Sequence, residues 1–197
     1  MSKTIVILSI TALIALLSVP PVLAKQTADA APPNVVLIFV DDLGYGDISL
    51  HGCTNYQTPH IDSIAKEGIR FSSGYVSGPA CGPSRAALMT GRYMGRFGYD
   101  DNRCIREGVP AQEIFMPEML REAGCITGHI GKWHLGQREG QLPQDRGFDE
   151  SHTFEGKDLR PRPDWYAKKA SEFIREHKDK DQPFFLYLAM LEVHTKL

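Results

Sequence analysis

Residues 35–42 read Val35-Val36-Leu37-Ile38-Phe39-Val40-Asp41-Asp42. The apolar part is unbroken and mostly β-branched. An unbroken run of strand length, as opposed to an alternating one, is the pattern of a strand covered on both faces in a parallel sheet. It stops at two carboxylates followed by Gly44 and Gly46, which are turn formers.

Outward from that strand, helix and strand signals alternate. Thr58-Pro59 is an N-cap followed by proline at the first helical position, and Gly68 is a stop signal. Ile61, Ile64 and Ala65 give that helix an apolar face. Ile69 and Phe71 suit a short strand. Pro83 opens a helix that runs to Gly91. Pro117 opens another, with Met119, Leu120 and Ala123 turned inward and Gly124 at its end. Asp164 caps a fourth helix, which buries Phe173 and Ile174. Residues 184–191 form a last apolar strand. This alternation predicts an α/β fold with a mostly parallel central sheet.

The chain has 197 residues, 22 Lys+Arg against 24 Asp+Glu, and is 42% hydrophobic and 23% charged. Disorder does not fit this hydrophobicity with a net charge of only -2. Nor does a nucleic-acid binder, because no positive excess exists to neutralise phosphates.

The first 24 residues read as an export signal. Lys3 gives a positive start, and the apolar run from Ile5 to Val19 is shorter than the roughly 20 residues that span a bilayer. Pro20 and Pro21 break it, and Val22-Leu23-Ala24 ends on a small residue. Cleavage after Ala24 implies a secreted or periplasmic protein with no stable membrane anchor. Residues 25–33 read as a disordered leader, ahead of the α/β part at 34–197. Cys53, Cys81, Cys104 and Cys125 would then meet an oxidising compartment. Their spacing suggests neither a disulfide scaffold nor zinc.

Asp41 and Asp42 sit where open α/β sheets place ligands, beyond the carboxyl end of a strand. Adjacent buried carboxylates need compensation, and a hard divalent cation supplies it. A solvated Asp/Gly turn is the other reading. Cys81-Gly82-Pro83-Ser84-Arg85 places a cysteine at a helix N-terminus, where unpaired N–H groups and the dipole favour an anion. Arg85, one turn on, reaches the same place. The residues alone describe an anion-binding nucleophile; a small buried loop cysteine is the alternative.

Cys81-x-Pro83-x-Arg85, continued by residues 86–92 (AALMTGR), resembles the signature of the type I, formylglycine-dependent sulfatases of the alkaline phosphatase-like superfamily. Residues 124–136 (GCITGHIGKWHLG) resemble the second signature of that family, with Cys125 where Tyr or Val is commoner. Residues 34–46, Gly147-Phe148-Asp149 and residues 183–186 match further landmarks in the expected order. Several ordered motifs are far more specific than one.

The resemblance implies a three-layer sandwich with a mostly parallel sheet. It implies that a maturation enzyme oxidises Cys81 to Cα-formylglycine (3-oxoalanine), and that Asp41, Asp42 and the converted Cys81 bind Ca²⁺. One hydroxyl of the hydrated aldehyde would attack the sulfur of a sulfate monoester, aryl or carbohydrate, and the other would expel sulfate. Arg85 would hold the diol and its negative charge, and Lys132 and His134 would contact the sulfate and the diol. His194 would assist the leaving oxygen, although Lys196 replaces a common proline nearby. A phosphonate monoester or phosphodiester hydrolase uses a similar site. The family's further metal ligands, an Asp and an Asn, and a further Lys follow later than Leu197, so a catalytically incomplete chain is the third reading. His51, His60, His129, His152 and His177 read as structural or solvent-facing, and Asp100-Asp101-Asn102 as ordinary surface.

Overall fold

The computed structural model describes residues 31–154 and 163–194. The expected export signal, most of the leader and Lys196 lie outside the described residues. Four strands form one sheet: β1 (Val35–Val40), β2 (Ile126–Gly131), β3 (Glu150–His152) and β4 (Phe184–Met190). Their order is β1-β4-β2-β3, and every pairing is parallel. Four helices accompany them: α1 (Pro59–Glu67), α2 (Cys81–Thr90), α3 (Met116–Glu122) and α4 (Pro163–His177). Among the described residues, no helix is long and apolar enough to cross a membrane.

Strand β4 is one of the two interior strands, hydrogen-bonded on both sides, and its alternation sorts the core into two layers. Phe185, Tyr187 and Ala189 face a cluster with Ala86 and Met89 of α2, Trp133 and Phe148. Phe184, Leu186 and Leu188 face the other way, against Ile130 and Tyr166, Ala170 and Phe173 of α4. Helices thus cover both faces of β4, which explains why its sequence is apolar throughout. Gly128 of β2 admits α4, because a Cβ there would run into the Phe173 ring.

Several expectations need correction. Strand β1 is covered on one face only. Leu37 and Phe39 pack into the first cluster, whereas Val36 and Ile38 on the opposite face are 41% and 50% exposed. The reason is position: α4 lies over β2 and β4, and β1 is the edge strand of the described sheet. No strand forms at Ile69 and Phe71, which are 82% and 76% exposed and find no strand to pair with. No residue of α1 is buried, so its apolar face lies open. Helix α2 begins at Cys81, two residues before Pro83. Around α3, Leu120 packs inward as expected, but Met119 and Ala123 are exposed and Met116 takes the inward place. All four cysteines are free thiols.

Candidate active site

Because β1, β4 and β2 run parallel, the segments that leave them meet at one edge of the sheet. Beyond β1 come Asp41 and Asp42, beyond β2 come Lys132 and His134, and beyond β4 comes His194. Main-chain hydrogen bonds lock this edge. Asp41 N–H donates to Met190 O (3.2 Å), Lys132 N–H to Ala189 O (2.8 Å) and Val193 N–H to Asp41 O (2.9 Å). Gly131 makes the approach possible: its φ is +114°, and a Cβ there would strike the Ala189 carbonyl.

Asp41 is buried between two cations. The Lys132 ammonium donates directly to its Oδ2, and Arg85 Nη2 lies 3.5 Å from its Oδ1. Burial pushes the Asp41 carboxyl up. The Lys132 hydrogen bond and the charges of Arg85, Lys132 and His194 outweigh it and hold the pKa below the ordinary carboxylate value.

Arg85 has no exposed side chain. Its Nη1 donates to the Lys132 carbonyl (3.0 Å) and to the Tyr187 hydroxyl (3.0 Å), and its guanidinium lies 5.1 Å from the Phe39 ring centre. Its buried Nε and Nη2 find no hydrogen-bond partner among the described residues. A buried guanidinium edge that holds Asp41 by a 3.5 Å ion pair alone, with no hydrogen bond, keeps donors for an oxyanion.

A carboxylate oxygen of Asp41, the Cys81 sulfur and a His194 ring nitrogen lie within 4.8 Å of one another. Asp42 stands outside that trio, more than half exposed, with its Oδ2 3.8 Å from His194 Nε2. Both Asp42 (φ +58°) and His134 (φ +62°) adopt the left-handed conformation, uncommon for non-glycine residues. His134 is pushed down to about 4, first by burial and then by the charges of Lys132 and Arg85. Its imidazole is therefore neutral near pH 7, and its buried Nδ1 has no hydrogen-bond partner among the described residues. Beside Lys132 and His134 opens a groove of about 490 Å³, lined also by Ile105, Gln137, Leu142, Gln144, Thr153 and Phe154.

Comparison with known proteins places this geometry. The sulfatase family profile matches residues 33–197. The chain belongs to the sulfatase family. It is 36% identical over 209 residues to the N-acetylgalactosamine-6-sulfatase of Canis lupus familiaris, covering 83% of this chain and 40% of that relative. It is 46% identical over 139 residues to human arylsulfatase A, covering 68% and 27% respectively. The crystal structure of Ps i-CgsB in complex with k-i-k-neocarrahexaose superposes with a TM-score of 0.76 at 36% identity, over 83% of this chain and 46% of that one. The chain thus spans about 40% of the length of the curated relatives it matches. The described sheet and its flanking helices are the alkaline phosphatase-like fold of this family.

Three residues, Tyr187, Tyr99 and Asn102, escaped the sequence reading, while His129, read there as structural or solvent-facing, is structural. Tyr187 is one apolar-run residue among others until its hydroxyl is seen on Arg85. His129 is fully buried beneath the site, ringed by Trp133, Phe148 and Tyr187 at 5.4–5.6 Å. Tyr99 donates to the His134 carbonyl (3.0 Å). Asn102, read as ordinary surface, accepts from Gly82 N–H (2.9 Å) at the start of the Cys81 helix. Its one sequence signal is the Asp101-Asn102 pair, whose side chains cap and turn backbone readily.

Proposed function

We propose that this sulfatase-family chain supplies the nucleophile and the oxyanion-holding residues of a sulfuric-ester hydrolase. The observation that carries the reading is the Arg85 guanidinium. It is fully buried, with Nη2 in an ion pair with Asp41 and with neither Nε nor Nη2 hydrogen-bonded to any described residue.

Arg85, Lys132 and His134 bind and orient the sulfate oxygens in a buried, preorganised field. Lys132 moves between Asp41 and the substrate anion. His134, neutral at pH 7, adds a hydrogen bond without adding charge. His194 places a ring nitrogen where the leaving oxygen needs a proton. Cys81, once converted to formylglycine by a maturation enzyme, supplies the geminal hydroxyl that attacks sulfur. Asp41 and Asp42 offer the hard carboxylate oxygens that suit Ca²⁺, which when bound polarises the sulfate oxygens. The charge balance supports this fit. Asp41 and Asp42 are offset by Arg85 and Lys132, so a divalent cation leaves the site positive and selective for an anion.

The substrate class is a sulfate monoester of a sugar or an aryl alcohol. The relatives' names support it, and the groove beside Lys132 and His134 offers room for that alcohol. The leading 24 residues direct export.

The test is co-expression with a formylglycine-generating enzyme, mass spectrometry of the Cys81 peptide, and parallel assays with Ca²⁺. The substrates are 4-nitrocatechol sulfate, a hexosamine 6-sulfate and a phenylphosphonate monoester. Conversion of Cys81 with preferential sulfate release is expected. A retained thiol, or faster phosphonate cleavage, overturns the reading.

A further inference from the structure

Three separated stretches of chain meet at Gly82, the residue after Cys81. A Cβ added there would lie 3.2 Å from Asn102 Oδ1, 3.2 Å from the Tyr99 ring and 3.4 Å from the His134 carbonyl oxygen. Two hydrogen bonds tie the stretches together. Asn102 Oδ1 accepts from Gly82 N–H at 2.9 Å, and Tyr99 Oη donates to His134 O at 3.0 Å.

The first bond satisfies one of the orphan donors at the N-terminus of α2, which no side chain of its own first turn caps. The second fixes the carbonyl of a residue held in the left-handed conformation. The short stretch that makes both bonds is itself anchored. Tyr99 is buried and donates its N–H to Met94 O (3.1 Å). Asp101 caps the following 3₁₀ turn by accepting from Arg103 N–H (2.8 Å). Asn102 is therefore held in place by its own neighbours before it reaches α2.

We propose that Tyr99 and Asn102 are positioning residues, a brace that fixes the Cys81 end of α2 against the His134 loop. Neither touches the reacting atoms. They act through Gly82 and through the His134 backbone. The proposal rests on the reading of Cys81 as the nucleophile position.

The test uses the unconverted thiol and needs no turnover, so it decides the brace even if no sulfate ester is cleaved. Native chain and the variants Asn102→Ala, Asn102→Asp and Tyr99→Phe are treated with iodoacetamide. Modification of Cys81, Cys53 and Cys125 is followed by peptide mass spectrometry. Asn102→Ala is expected to speed alkylation of Cys81 about fivefold, the effect of losing one net hydrogen bond on local opening. Cys53 and Cys125 keep their rates. Asn102→Asp retains an acceptor and keeps the native rate at Cys81, and Tyr99→Phe gives a smaller acceleration at Cys81 alone. An unchanged Cys81 rate in Asn102→Ala, equal acceleration at all three cysteines, or Asn102→Asp behaving as Asn102→Ala overturns the proposal.

Discussion

The Tyr187 hydroxyl accepts a 3.0 Å hydrogen bond from Arg85 Nη1, joining strand β4 to the helix that starts at Cys81. Both side chains are fully buried. Burial pushes the Tyr187 phenol up while the Arg85 charge pulls it back, and the net shift is upward. The phenol therefore stays protonated and serves Arg85 as a neutral acceptor.

Tyr187→Phe removes that acceptor and leaves the packing volume nearly intact. A buried charged donor then keeps only the Lys132 carbonyl on that nitrogen. Stability should fall by about 1–3 kcal/mol. Urea unfolding measures it, and an unchanged midpoint would show the bond to be dispensable.

Asp41→Asn takes the counter-charge from both Arg85 and Lys132. Lys132 is able to turn towards solvent, but Arg85 has no exposed surface to reach it. The expected loss is about 3–5 kcal/mol, that of breaking a buried pair from one side. Calcium titration of the same variant should show weakened binding.

Lys132→Met should tighten calcium binding about tenfold, because it removes from beside Asp41 a positive charge that repels the cation and competes with it for the carboxylate. Isothermal titration calorimetry compares it with the native chain. Weaker or equal binding would show that Lys132 does not compete with the cation. In the matured enzyme, the same variant should lose sulfate turnover.

Acid should destabilise the calcium-free chain well above the ordinary carboxylate range. Burial pushes His129 down to about 3, and burial with the Lys132 and Arg85 charges pushes His134 down to about 4. Both are lowered, so the unfolded chain binds the extra protons as pH falls. Stability is full above the unfolded histidine value near 6.5 and declines from there, at up to about 1.4 kcal/mol per pH unit for each group. Asp41, held low by its partners, adds its own loss only below about pH 4. Urea midpoints between pH 7 and pH 4.5 should give a slope that His129→Gln halves.

Much of the site was legible because its chemistry lies in short stretches. Asp41, Asp42, Cys81 and Arg85 stood out from local patterns, Lys132, His134 and His194 only through the family resemblance, and the structure brings all seven to one sheet edge. Asp42 is the exception in detail. Its left-handed backbone leaves it facing His194, outside the trio of Asp41, Cys81 and His194. Adjacent identity could not show that two neighbouring carboxylates differ so much in burial. The α/β class was equally legible, but helix faces were not. Ile61, Ile64 and Met119 have apolar spacing and yet lie exposed, because spacing marks a stripe and does not supply the surface that covers it.

By itself, the sequence determined the parallel α/β class and the family resemblance, and it supplied the candidate residues of the site. Each rests on residues close together in the chain, where periodicity and motif spacing act. The tertiary structure alone decided that β4 lies between β1 and β2, and that β1 is an edge of the described sheet with one open face. It alone paired Asn102 with Gly82, Tyr99 with His134 and Tyr187 with Arg85. The physical reason is that a hydrogen bond between residues 20 to 102 positions apart depends on strand order, register and helix placement. Those emerge only when both faces of the sheet compete for cover.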